Sequence, residues 1–143
     1  MPRITLFSAL GVGLLLAACS AASGSSPSAT TGGVRQINVT MTDALRFEPA
    51  RIRVRNGETV EFVVQNAGKI RHELFLGSEA EQASHEAEMR RMPMTQDERN
   101  GIFVEPGKTK TLRHTFGSAG TVIAGCHEVG HYPAGMKLEI SVS

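Results

Sequence analysis

Cys126, His131 and Met136 stand five residues apart each time in the stretch Cys-His-Glu-Val-Gly-His-Tyr-Pro-Ala-Gly-Met. Gly130, Pro133 and Gly135 mark this stretch as a loop, so a thiol, an imidazole and a thioether share one short piece of chain. Soft sulfur donors beside imidazole select copper over magnesium or calcium, and a Cys with two His and a weak axial Met is the ligand set of an electron-transfer copper site. The loop is one imidazole short of that set. The best-placed supplier is His72, far upstream in Gly-Lys-Ile-Arg-His-Glu-Leu-Phe-Leu-Gly. A site divided in this way needs a folded barrel that returns the chain on itself, not a local knuckle.

The rest of the chain reads as short strands. Val34, Ile37 and Val39 alternate imperfectly with polar residues, and Ile52 and Val54 alternate with Arg51, Arg53 and Arg55. Asn56-Gly57 reads as a hairpin turn into a returning strand over residues 59–64. Further strands are expected over 70–76, which carries His72, and over 109–116, 121–124 and 137–142, with turns at Pro106-Gly107 and between Gly117 and Gly120. Such a run of short strands and turns makes a sandwich or barrel. The expected core is Val39, Phe47, Ile52, Val54, Val60, Phe62, Val64, Leu74, Leu76, Leu112, Phe116, Val122, Ile123, Leu138, Ile140 and Val142. Residues 78–92 break the pattern as an inserted helix, with Ser78 and Glu81 in capping-box spacing and Pro93 beyond the end.

Four segments, in order, carry a family resemblance: Phe47 to Phe62, Asn66-Ala-Gly-Lys-Ile-Arg-His72, Val104-Glu-Pro-Gly-Lys-Thr109, and the Cys126 loop. Over residues 34–143 the chain resembles a small periplasmic cupredoxin of the plastocyanin/azurin superfamily. The resemblance implies an all-β, cupredoxin-like Greek-key β-sandwich or barrel with one inserted helix. It implies one copper per chain, cycling between Cu(I) and Cu(II), with ligands His72, Cys126, His131 and Met136. With four protein ligands no position is open to substrate, so one-electron transfer is expected rather than enzymatic chemistry. It also implies that the edge of His131 reaches the surface among Tyr132, Pro133, Ala134 and Gly135, where a redox partner such as a cytochrome or oxidase would dock. Inserted helices bearing Met and His resemble those of copper-tolerance cupredoxins, which gives a second reading: sequestration of copper alongside other copper-handling proteins.

The start of the chain reads as a leader. Met-Pro-Arg precedes an apolar run from Ile4 to Ala18, and Leu16-Ala17-Ala18-Cys19 resembles a bacterial lipoprotein box. The expected organisation is a lipoprotein signal peptide at 1–18, a lipidated Cys19, a small and polar tether over 19–33, and the folded domain over 34–143. That places the domain in the periplasm on a lipid anchor, with the outer membrane favoured because Ser, not Asp, follows Cys19. Lipidation of Cys19 would leave Cys126 as the only thiol of an exported protein, with no partner for a disulfide. The chain has 15 Lys and Arg against 14 Asp and Glu, and loss of Arg3 with the leader balances them at 14 each. Nothing in this balance points to nucleic acid.

Several polar residues need separate readings. His127 adjoins Cys126, and neighbours in extended chain point to opposite sides, so it is expected at the surface or behind the ligands rather than on the metal. His114 is expected as an exposed strand residue. Glu73 departs from the Asn that follows the first His in many cupredoxins, which alters the hydrogen bonding that sets colour and potential. In the helix, His85, Met89 and Met92 fall at i, i+4 and i+7, roughly opposite Ala80, Ala83 and Ala87. If the alanines pack on the barrel, His85, Met89, Met92 and Met94 face outward as a second Cu(I) site. If the methionines pack inward, the alanines are surface helix formers.

Overall fold

A computed structural model of the protein describes residues 34–143; the expected leader, Cys19 and tether lie outside the described residues. Nine strands and one helix follow one another: β1 (Arg35–Thr42), β2 (Arg46–Glu48), β3 (Arg51–Val54), β4 (Thr59–Asn66), β5 (His72–Gly77), α1 (Glu79–Arg91), β6 (Gly101–Val104), β7 (Thr109–Thr115), β8 (Gly120–Gly125) and β9 (Lys137–Val142). They form a four-stranded sheet, β2-β1-β4-β7, and a five-stranded sheet, β3-β9-β8-β5-β6. The β1–β4 and β3–β9 pairs are parallel and the others antiparallel. The all-β sandwich with one helix is thus the observed architecture.

The inner faces of the two sheets make the core. Phe62 of β4 and Phe116, just past β7, meet edge to face with ring centroids 6.3 Å apart, and both are fully buried. Val60, Val64, Leu74, Leu112, Leu138 and Ile140 pack around them, as the period-two pattern requires. Ile52, Val122 and Ile123 are only partly buried, whereas Met41, Ile102 and Val104 are buried where no core position was expected.

The expected hairpin at Asn56-Gly57 is not one. The turn is present, with Glu58 N–H donating to Arg55 O at 3.0 Å, but β3 lies in one sheet and β4 in the other. A two-residue I′ hairpin needs positive φ at both central residues, and here only Gly57 has it, at 77°. The chain therefore crosses between sheets at this point. Strands β2 and β6 were also not expected from the sequence.

Strand β5 is buried along its whole length, for a simple reason. His72, Leu74 and Leu76 alternate onto the inner face, and Glu73, Phe75 and Gly77 onto the outer face, which α1 covers. The helix has the expected cap: Glu81 N–H donates to Ser78 Oγ, and Ser78 N–H donates to Glu81 Oε2 at 2.7 Å. No helix among the described residues is long and apolar enough to cross a membrane.

Candidate metal centre

One end of the sandwich gathers the donors that the sequence scatters. His72 opens β5 and points inward; Cys126 directly follows β8; His131 and Met136 sit on the loop that leads into β9. Among the described residues, His72, Cys126 and His131 are the group of His, Cys and acidic side chains whose ligand atoms converge, all within 4.8 Å of one another. His131 Nδ1 lies 3.3 Å and His72 Nδ1 3.9 Å from Cys126 Sγ. Both imidazoles thus turn the same ring nitrogen toward sulfur. Met136 is fully buried in the adjoining core, and its backbone closes the loop: Cys126 N–H donates to Met136 O at 3.3 Å, and Met136 N–H donates to His131 O at 3.1 Å.

The surroundings hold all three metal-free donors in their neutral forms. Burial pushes the Cys126 thiol up to about 12. Its sulfur accepts an N–H from Glu73 at 3.2 Å, a contact that favours the thiolate and partly offsets the burial. Burial, and then the neighbouring His131, lower the pKa of His72; burial lowers that of His131. Both rings are therefore neutral at pH 7, as metal ligands must be. Behind His72, Asp43 Oδ1 lies 3.5 Å from Nε2, the ring nitrogen facing away from sulfur. Asp43 is itself held by the N–H of Lys69, at 2.8 Å to Oδ2. At that separation Nε2 makes no hydrogen bond, so Asp43 offers His72 a neighbouring charge rather than a fixed tautomer. The donor set and its support fit a mononuclear copper ion.

The other expected positions come out unevenly. His127 is buried, not at the surface: Nδ1 lies 2.7 Å from Glu86 Oε2 and Nε2 lies 2.7 Å from Gln82 Oε1, both on α1. His114 is half-buried, edge-on to Phe116 at 4.7 Å. In α1 the buried residues are Gln82, His85 and Met89, with the alanines outward, so the inward reading of the helix describes His85 and Met89. His85 Nε2 faces Glu73 Oε1 at 2.8 Å, Met89 Sδ accepts the N–H of Met94 at 3.3 Å, and Met92 is 73% exposed. The four residues of the suggested second site therefore do not share one face. Sequence reasoning missed Asp43, Gln82 and Glu86; an acidic residue after the β1 motif was visible, but nothing in the sequence tied it to His72.

Residues 34–143 match the family model described as copper binding proteins, plastocyanin/azurin family. The chain is 40% identical over 109 residues to the copper-resistant cuproprotein CopI of Rubrivivax gelatinosus, covering 76% of this chain and 66% of that protein. It is 33% identical over 146 residues to the copper-resistant cuproprotein CopI of Pseudomonas aeruginosa, covering 81% and 80%. The chain thus spans just under two thirds of the first relative's length. Among solved structures, auracyanin A, a blue copper protein of Chloroflexus aurantiacus, superposes with a TM-score of 0.66 at 25% identity, over 78% of this chain and 100% of that one. Reduced auracyanin of Roseiflexus castenholzii gives 0.68 at 22% identity, over 78% and 99%, a likeness of fold. By sequence, by fold and by the donors brought together at Cys126, the chain belongs to the plastocyanin/azurin family of copper binding proteins.

Proposed function

We propose that this chain is an exported copper-tolerance protein that holds one copper ion on His72, Cys126, His131 and Met136. The convergence of a buried thiol with two inward imidazole nitrogens is the observation that carries the ligand assignment. The tolerance reading draws its support from relatives of 40% and 33% identity that are named for copper resistance.

The chain's own residues supply affinity and exclusion. Neutral imidazoles need lose no proton on binding; Cys126 must lose one, and its proton leaves as the metal enters, so binding strengthens with pH. Asp43 places a negative charge 3.5 Å behind His72, and the complete burial of His72, Cys126 and Met136 keeps water from the donors. A one-electron couple is what copper supplies when bound.

Electron transfer is the second reading, and the exposure around His131 favours it. The ring is half-buried, and Pro133, Ala134 and Val129 beside it are exposed, Val129 by 84%. A partner seated on that apolar rim would lie next to a ligand. Lipid attachment at Cys19 and a periplasmic location belong to both readings.

Growth of a host strain deleted for this chain, across a range of copper concentrations, separates the two. The tolerance reading expects growth to fail at lower copper than in the parent, with rescue by the wild-type gene and none by Cys126→Ser. Parental growth in copper, together with a respiratory defect in its absence, would overturn tolerance in favour of electron transfer.

A further inference from the structure

Helix α1 reaches the metal centre by a route outside the ligand set. The alternation that turns His72 and Cys126 inward turns Glu73 and His127 outward, beneath the helix. Glu73 is 1% exposed. Its backbone N–H donates to Cys126 Sγ at 3.2 Å, and one carboxylate oxygen accepts the backbone N–H of His127 at 3.1 Å. The other oxygen faces His85 Nε2 at 2.8 Å. One residue therefore grips the sulfur, the peptide that follows the sulfur, and the helix.

The helix end of this grip is closely packed and hydrogen-bonded. His85 lies flat on Phe75, with ring centroids 3.9 Å apart and planes 4° apart. Gln82 takes His127 Nε2 with its carbonyl, while its amide nitrogen donates to Phe75 O at 3.1 Å and Ile123 O at 2.7 Å. A side chain at Gly125 would collide with both Gln82 and Tyr132, so glycine there lets the helix sit this close to the ligand strand. As a source of stability a buried His–Glu pair is weak, because apolar replacements of such pairs are often neutral. What the pair supplies is orientation.

We infer that His85 is a positioning residue for the copper thiolate, holding Glu73 so that the N–H to Cys126 Sγ and the Cys126–His127 peptide keep one geometry. The inserted helix then sets the electronic character of the site as well as covering it. This rests on the ligand assignment proposed above.

The test uses the copper-loaded protein and reads three quantities: copper per chain, affinity by chelator competition, and the thiolate-to-copper charge-transfer absorption. His85→Leu is expected to keep a single copper, with a displaced band and affinity lower by less than the roughly 10–100-fold that follows loss of a direct outer partner of a ligand, because His85 acts through Glu73. His85→Gln, which keeps an N–H donor for Glu73, should fall between Leu and the parent. A folded His85→Leu protein with the parental band and affinity would overturn the inference. Should His85→Leu not fold, His85→Phe, which keeps a ring on Phe75 but offers Glu73 no N–H, is read in the same way: a displaced band supports the inference and an unmoved one overturns it. Absence of the band in the parent itself would bring down the ligand assignment, whereas a parental band that no variant moves brings down this inference alone.

Discussion

At Glu73 a carboxylate does work that a shorter amide performs in many cupredoxins. It still bridges the two ligand segments, through His127 N–H, but its second oxygen extends to α1. The residue change was visible in the sequence and its consequence was not, because the partner, His85, stands 12 positions away on an element whose packing the sequence left open. The convergence of His72, Cys126 and His131 was easier to anticipate. Cys126 and His131 share one loop at regular spacing with Met136, and the family resemblance pointed to His72. Away from the site, His114 offers a measurable titration. Burial lowers its pKa from the ordinary 6.5. The unfolded chain therefore binds the proton first as pH falls, and this residue's contribution is intact above pH 6.5 and shrinks below it. Metal-free protein should lose stability between pH 7 and pH 5, and His114→Gln should lose less. Urea midpoints at the two pH values check this, and equal losses in both proteins would refute it.

Among the elements, the helix shows how far periodicity carries. Its ends were legible from Ser78, Glu81 and Pro93, and the capping box is formed. Ser78→Ala should cost about 1 kcal/mol, the usual value of a lost N-cap, seen as a lower urea midpoint with an unchanged m-value. Its buried face was harder to read, since two of its three buried residues, Gln82 and His85, are polar. The hydrophobic pattern cannot point such a helix toward the barrel. Strands β2 and β6 escaped for other reasons: β2 has three residues, and β6 is buried on both faces, so no alternation marks it. At Asn56-Gly57 the turn chemistry was right and the strand pairing wrong, because a local signal does not tell whether the next strand joins the same sheet.

For the whole molecule, two sheets closing over one core bring residue 72 beside residue 126, and neither segment could form the site alone. The helix then seals the outer face of the strand that bears His72. A sandwich or barrel was readable from strand patterning, and the cupredoxin fold from the resemblance of four segments; the division of strands between the sheets was not, since it depends on long-range pairing such as parallel β1–β4. The central claim is that this closure creates one mononuclear thiolate–copper site. Copper titration of the folded domain, following the visible thiolate-to-copper absorption, tests it most directly. The account predicts an intense band that saturates at about one equivalent, as the single Cys/His/His/Met set requires, and is absent in Cys126→Ser. No band in the wild-type protein, or an undiminished band in Cys126→Ser, would contradict it.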